Sequence, residues 1–438
     1  MITKIKGTYD ILPSETRKWQ ELEEVIFQVS RLYNFKEIRT PIFEASELFH
    51  RSVGETTDIV KKETYDFSDR GNRLVTLRPE GTASVVRSVI ENKLFADPNQ
   101  PQKIYYVGPM FRYERPQKGR QRQFHQFGAE ALGSYSPAVD AEMIAYAITL
   151  LKALRIPKVT VKINSLGDQE SKEAYRAELV KYLEPKISEL CSDCQSRFQV
   201  NPLRVLDCKI DKDSPILVAA PKPLDSLSPL AKIHFQGVLD RLQAMGVDYV
   251  IDKSLVRGLD YYTHTVFELE ADLPTLGAQA TIGGGGRYND LVKNLDGPDY
   301  PAVGFAFGME RILLALDSID NPSKPDYIHA FLIVLGQRSQ AKAAEVMMRL
   351  RHGGLIVDTD FFGRPLKAQF KQAQRQNAMY ILIMGDDEIE KDVVNVKNAK
   401  TGVQETIKSA DLYQYIVQGI QSQSHSCNGQ CESCADEC

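Results

Sequence analysis

The segment Gly108–Glu130, GPMFRYERPQKGRQRQFHQFGAE, constrains the fold more than any other. It reads as strand, polar loop and strand, with Pro116 and Gly119 marking the turn. Side chains alternate between the two faces of a strand, so Arg122, Phe124, Gln126, Gly128 and Glu130 share one face. On the incoming strand Arg112 and Glu114 share a face with each other. Arginines, carboxylates, a glutamine and a single phenylalanine make a poor core. They make a good floor for a ligand that is part anion and part aromatic. Arginine offers a planar fork to phosphate oxygens, phenylalanine a surface for a base, and glycine a close approach to the backbone. A hairpin with a merely solvated polar face would not account for Phe124 and Gly128 among the charges.

Around this hairpin the first segment is mixed α/β. Ser14 to Leu32 has helical spacing, with Trp19, Leu22, Val25, Ile26 and Val29 as an apolar stripe. Thr82 to Asn92 reads as a helix, Lys103–Val107 and Arg122–Leu132 as strands. Residues 168–245 are mostly helical and punctuated by Pro185, Pro202, Pro215, Pro221 and Pro223, as in an insertion. Strand-like sequence returns at 247–270 and 278–282. After the Pro-rich stretch Asn321–Pro325, two buried apolar runs, Phe331–Leu335 and Tyr380–Met384, alternate with helical segments. That alternation predicts a small α/β domain with a largely parallel sheet. The expected division is a core over 1–325 interrupted by 168–245, an α/β domain over 326–420 and a Cys-rich tail over 421–438.

With 438 residues, 43% of them hydrophobic and 26% charged, the chain suits a soluble protein of several domains. No apolar run approaches the ~18 residues of a membrane span, and MITKIKGTYD lacks a signal peptide's apolar core. A cytoplasmic location is the expectation. The net charge of −4 does not announce a nucleic-acid partner, so any such partner must meet a local basic patch.

Other segments carry candidate chemistry. Leu77-Arg78-Pro79-Glu80-Gly81-Thr82 ends a strand and opens a helix, and from the residues alone Thr82 is a helix cap. Gly283–Gly286, followed by Arg287 and Tyr288, matches neither a P-loop nor GxGxxG, and reads as a flexible turn. Arg311 falls in the first turn of an apolar helix, where the helix dipole disfavours a cation by about 0.3–1 kcal/mol. That placement hints at function.

Phe111-Arg112-Tyr113-Glu114, its loop and the strand RQFHQ resemble motif 2 of the class II aminoacyl-tRNA synthetases in its histidyl form. The Leu77–Thr82 element is similar to that family's LRPEGT. The string Leu255-Val256-Arg257-Gly258-Leu259-Asp260-Tyr261-Tyr262-Thr263 resembles its histidine-specific signature, the most discriminating motif in the chain. Gly304–Arg311 resembles motif 3, and Arg39-Thr40-Pro41 resembles motif 1. The resemblance runs from Lys4 to about Gly419. It implies an antiparallel-sheet class II core, a helical insertion that embraces the acceptor arm of tRNA, and an α/β anticodon-binding domain. It also implies histidine, ATP with Mg²⁺, and histidine tRNA as ligands, and a homodimer built on motif 1.

The resemblance assigns roles residue by residue. Arg112 and Arg257 flank the α-phosphate and are the catalytic candidates, and Arg257 also binds the histidine carboxylate. Glu114 reads adenine, Arg120 and Arg311 reach the terminal phosphates, and adenine lies between Phe124 and Arg311. Glu80 and Thr82 hold the substrate amino group, Glu130 and Tyr262 the imidazole, while Gln126 lines the same pocket and Tyr288 does so from a Gly-Gly-Arg-Tyr strand. Neutral imidazole has one donor and one acceptor nitrogen, so a carboxylate and a phenol match it. Arg115, Gln117, Lys118 and Arg122 are candidate contacts for the tRNA end. The alternative is the regulatory subunit of ATP phosphoribosyltransferase, a paralogue that binds histidine without charging tRNA. Such paralogues commonly lack the last domain and erode the ATP arginines; here the domain and Arg112, Arg120, Arg257 and Arg311 are all present.

Of seven cysteines, Cys191, Cys194 and Cys208 lie in the insertion. They offer half a zinc site with no evident fourth ligand, so structural or incidental thiols are expected. The tail departs from the family. Cys427, Cys431, Cys434 and Cys438 could bind zinc or an iron–sulfur cluster, or simply belong to a mobile terminus.

Overall fold

The computed structural model describes all residues except 54–58, 118, 207, 209, 212, 257–260, 277–279, 320–326 and 427–438. The chain divides into two compact units, Met1–Pro322 and Ser323–Cys438.

In the larger unit, β1 (Lys36–Glu37) precedes a small antiparallel sheet of β2 (Phe43–Ala45), β3 (Tyr65–Ser68) and β4 (Leu74–Leu77). The hairpin follows as β5 (Gln102–Phe111) and β6 (Gln123–Leu132). Then come β7 (Val159–Ser165), β8 (Tyr249–Ile251), β9 (Thr263–Ala271), β10 (Thr281–Arg287) and β11 (Ala302–Gly308). These make an eight-stranded sheet in the order β1-β5-β6-β11-β10-β9-β7-β8. Its six central strands pair antiparallel, and only β1 and β8 join parallel at the edges.

Alternation along the central strands separates the two faces. Phe127, Phe267, Phe305 and Phe307 project into one apolar core. Helices Pro13–Leu32, Pro137–Ala153 and Pro229–Ala244 cover that core. The first has proline at its start, Glu15 in its first turn and Arg31 in its last, which suit the helix dipole. It buries Trp19, Leu22, Ile26 and Val29, four of the five residues of the expected stripe. The other face carries Tyr106, Tyr262 and Tyr288 with helix Thr82–Glu91 packed alongside. This is the face that holds the polar residues of β6.

Residues 168–245 are helical, but not one body. Tyr175, Leu179, Leu183, Leu190, Cys194, Val205, Cys208, Leu217 and Ala220 form a small core of their own. Helix Pro229–Ala244 instead buries Phe235, Val238, Leu239 and Leu242 in the core of the large sheet.

The smaller unit holds β12 (Ile328–Val334), β13 (Val357–Thr359), β14 (Ala378–Met384), β15 (Val393–Asn398) and β16 (Gln404–Lys408), ordered β13-β12-β14-β15-β16. The two apolar runs are the central strands β12 and β14. Ala330 and Leu332 face one cluster while Phe331 and Ile333 face another, which is why these strands read as unbroken apolar runs. The β13, β12 and β14 strands are parallel, as expected. The antiparallel hairpin β15–β16 makes the sheet mixed. Among the described residues no helix is long and apolar enough to cross a membrane.

Candidate active site

The β5–β6 register sets Met110 opposite Phe124, Gly108 opposite Gln126, Tyr106 opposite Gly128 and Ile104 opposite Glu130. On the far side of β6, Gly308, Ala306 and Gly304 of β11 lie opposite Gln126, Gly128 and Glu130. Beyond them, β10 sets Gly284 and Gly286 opposite Ala306 and Gly304. Small residues thus floor a hollow in the sheet, walled by the side chains of β6. The glycine run is a strand and not a flexible turn. It pairs with β9 and β11 over its length.

At the inner end of the hollow sits Glu130, 1% exposed. Thr82 Oγ1 donates to its Oε1 at 2.7 Å, and Tyr288 OH donates to its Oε2 at 2.5 Å. Burial raises the Glu130 carboxyl to about 8, against the hydrogen bonds from Tyr288 and Thr82 that lower it. A β-carbon at Gly304 would fall 1.6 Å from Glu130 Oε2, so glycine there is a condition for this carboxylate's position. Thr82 is not the helix cap; its hydroxyl is turned to Glu130. Glu80 serves that end instead, accepting from the backbone N–H of Thr82 at 2.7 Å and of Ala83 at 2.8 Å. Burial raises the Glu80 carboxyl, offset by those two N–H groups.

Three phenols surround the carboxylates. Burial holds Tyr106, Tyr261 and Tyr288 protonated well above the usual tyrosine range, with Glu130 and one another adding to the effect. Tyr262 is also buried, its ring 4.8 Å from that of Tyr261. Gly128 does not open the backbone to a ligand as expected. The ring of Tyr106 occupies that space, 2.3 Å from where a β-carbon would stand, and lies equally close above Gly81. Tyr106 OH and Gln126 Oε1 are both buried, with no hydrogen-bond partner among the described residues.

The outer end is a cleft of about 320 Å³ whose walls include Arg112, Glu114, Arg120, Phe124, Gln126 and Arg311. The Arg112 guanidinium lies 5.4 Å from the centre of the Phe124 ring, and its Nε donates to Pro79 O at 2.8 Å. Arg120 Nη1 donates to Glu114 Oε2 at 3.3 Å. Burial and the nearby Arg120 lower the pKa of Arg311, whose Nη1 donates to Thr281 O. Glu310 fixes this helix start to β6 by accepting from His125 N at 2.9 and 3.0 Å.

The structure therefore brings together Glu80, Thr82, Glu130, Tyr262 and Tyr288 at one end of the hollow, and Arg112, Glu114, Arg120, Phe124 and Arg311 at the other. Gln126 stands between. Arg115 and Gln117 are exposed on the loop. Arg122 is half-buried, stacked 3.9 Å from the centre of the Tyr113 ring and drawn to the N-terminal segment at Lys6 O. Among the described residues it is the least available of the tRNA candidates. Arg257, Lys118 and the tail cysteines lie outside the described residues.

Sequence reasoning missed Tyr106, Tyr261 and Arg78. Tyr106 could have been found by stepping back in twos from Arg112 along β5. Arg78 binds Thr40 O and Pro109 O at 3.0 and 2.9 Å, tying the Arg39–Pro41 segment to the end of β5. No local spacing signals that contact.

A mostly antiparallel sheet with helices on its core face, an arginine-rich hairpin cleft and a buried polar pocket beside it defines a class II aminoacyl-tRNA synthetase core. The family model described as histidyl-tRNA synthetase matches residues 7–312, and one described as anticodon binding domain matches 329–419. Histidine–tRNA ligase 1 of Shouchella clausii is 49% identical over 95% of this chain and 98% of its own length. The histidine–tRNA ligase of Bacillus subtilis is 49% identical over 91% and 94%. The crystal structure of apo S. aureus histidyl-tRNA synthetase aligns with a TM-score of 0.83 at 42% identity, covering 95% of this chain and all of that one. A Bacillus halodurans structure titled as an ATP phosphoribosyltransferase regulatory subunit/histidyl-tRNA synthetase is 19% identical with a TM-score of 0.62, a likeness of fold alone. The chain belongs to the histidyl-tRNA synthetase family.

Proposed function

We infer that this chain is a histidine–tRNA ligase whose two ends of one hollow hold histidine and ATP side by side. The histidine carboxylate attacks the α-phosphorus of ATP and pyrophosphate leaves. The terminal adenosine hydroxyl of tRNA then takes the histidyl group and AMP leaves. The observation that carries this reading is the buried Glu130, held by Thr82 and Tyr288, on the same sheet face as the arginine cleft.

In this reading Glu130 and Tyr262 bind the imidazole, with Tyr288 and Gln126 completing the wall. Apolar isosteres are rejected because they would leave buried polar groups unpaired. Glu80 and Thr82 take the α-amino group. Each carboxylate oxygen has two lone pairs, so Glu80 can cap its helix and still accept from an ammonium. Arg112 and Arg257 act on the α-phosphate, stabilising charge as it develops. Glu114 reads adenine, Phe124 and Arg311 sandwich it, and Arg120 and Arg311 meet the terminal phosphates. Arg115, Gln117 and Lys118 are the loop contacts for the tRNA end, with Arg122 mainly bracing the loop.

Mg²⁺ fits this cleft as an ion brought by ATP. It prefers phosphate oxygens and water with one or two carboxylates, and of the lining carboxylates Glu310 is already bound to His125 N–H. Its chemistry there is charge neutralisation on the phosphates. We place the ligase in the cytoplasm as a homodimer built on the Arg39–Pro41 segment, and light scattering at micromolar concentration tests the dimer.

The test of the function is histidine-dependent ATP–pyrophosphate exchange, with other amino acids as controls. Exchange with histidine alone is expected. Its absence from folded protein that still binds histidine would overturn the reading in favour of the regulatory paralogue. Arg257→Ala is expected to keep the fold and lose adenylate formation.

A further inference from the structure

The insertion holds a second constellation, far in sequence from the substrate residues. Cys191 and Cys194 bracket the start of helix Ser192–Val200, and Cys208 comes after the short 3-10 helix Pro202–Val205 that follows it. The fourth group that spacing did not reveal is Asp211. One ligand atom from each of Cys191, Cys194, Cys208 and Asp211 lies within 4.8 Å of all the others. Cys191 Sγ and Cys208 Sγ are 3.6 Å apart, and Cys208 Sγ is 3.6 Å from Asp211 Oδ2. Two sulfurs each ~2.3 Å from one tetrahedral zinc lie ~3.8 Å apart, and a sulfur and a carboxylate oxygen ~3.5 Å. These two separations are within about 0.2 Å of that geometry, and all four ligand atoms lie within 4.8 Å of one another.

Two further observations favour a metal over incidental thiols. The N–H of Cys191 donates to Asp211 Oδ2 at 2.9 Å and the N–H of Asp211 to Cys208 Sγ at 3.3 Å, so the backbone already orients two of the donors. The insertion's own core is also small, nine buried residues of which two are these cysteines. Cores of that size commonly need a staple. A Cys191–Cys208 disulfide would bring its two sulfurs to ~2.05 Å but give no role to Cys194 or Asp211.

We propose that Cys191, Cys194, Cys208 and Asp211 form a closed structural zinc site that staples the insertion. Binding releases the thiol protons to solvent and involves no redox step.

The tail cysteines are a rival donor set, so the test separates the two. Full-length protein and a variant carrying Cys427→Ser, Cys431→Ser, Cys434→Ser and Cys438→Ser are purified in reducing buffer with zinc, then dialysed and analysed for metal. The tail variant is expected to keep one zinc ion per chain, and Cys208→Ser in that background to lose it. Asp211→Cys, which completes a four-thiolate set, is expected to retain the ion, and Asp211→Asn to weaken it by about 10–100-fold or more. Should Cys208→Ser fail to fold, cobalt titration of the chelator-treated tail variant gives the answer. Ligand-field bands of tetrahedral thiolate-bound Co²⁺ support the site. A tail variant that holds neither zinc nor cobalt, or a folded Cys208→Ser protein that keeps its zinc, overturns it.

Discussion

Glu130 is costly to bury, and the direction of that cost gives a test. Its carboxyl titrates near 8 in the folded protein, against 4.5 for the group in water. A folded value above the unfolded one means that the folded state holds the proton more tightly. Stability is therefore lost as pH rises from about 4.5 to about 8. Glu130→Gln removes this term, so its melting temperature relative to the parent should be higher at pH 8 than at pH 5. The same change should raise the KM for histidine by about 10–100-fold, since it spoils a buried hydrogen-bonded pair. It should also flatten the part of the KM profile that follows Glu130 between pH 7 and 8. Titrations of histidine itself are common to both proteins, so the difference isolates the residue. Arg112→Ala belongs to the same scale. It should lower pyrophosphate exchange by about 10²–10³-fold with the fold kept, as for removal of a group that stabilises transition-state charge. Glu130, Gln126 and Phe124 were legible because a strand's period of two puts them on one face of β6. Asp211 and Tyr106 were less so. Asp211 joins the cysteines only through the turn that follows Cys208, and Tyr106 is hidden in an apolar-looking run, Ile104-Tyr105-Tyr106-Val107.

At the scale of elements, β10 reads as a turn from its residues alone for a physical reason. Four consecutive glycines look like a turn because glycine lowers strand propensity. Here Gly286 leaves room for the ring of Tyr262, 2.9 Å from its absent β-carbon, and Gly283 leaves room on the core face for the ring of Phe307, 2.2 Å from its own. Tertiary packing overrides propensity. Gly304→Ala tests the floor. Its methyl would displace the Glu130 carboxylate, so histidine-dependent exchange should collapse while far-UV circular dichroism stays that of the parent. On the core side the end of β10 is pinned by an ion pair that no local pattern announces. Arg287, fully buried, donates to Asp140 in helix Pro137–Ala153 and to Ser134 O and Ser136 O. The two partners are 147 residues apart in sequence. Asp140→Ala would leave a buried guanidinium without its counter-charge. A loss of about 3–5 kcal/mol is expected in denaturant unfolding of the larger unit. The Asp140→Leu, Arg287→Met double variant should recover much of it, because replacing both members of a buried pair by apolar groups is often near neutral.

At the scale of the whole molecule, the buried clusters of the two units share no residue. One set spans the eight-stranded sheet and its helices, the other the five-stranded sheet from Ile328 onward. The division between Pro322 and Ser323 falls within the Pro-rich stretch Asn321–Pro325. Separate cores predict separate unfolding, so thermal scans should resolve two transitions instead of one. They also predict separable function. Every candidate substrate residue for activation falls within Met1–Pro322, while the segment matching the anticodon binding domain falls within Ser323–Cys438. A chain ending at Pro322 should keep histidine-dependent pyrophosphate exchange, because neither histidine nor ATP needs the second unit. Charging of tRNA should fall by about 10²–10⁴-fold at limiting tRNA. Two linked contacts on one tRNA gain that much from effective concentration, and the shortened chain keeps only one of them. The loss should appear in the KM for tRNA and shrink as tRNA is raised. A loss of exchange equal to the loss of charging, in a truncated protein with native circular dichroism, would show that the second unit shapes the catalytic hollow itself and that the division of labour is wrong.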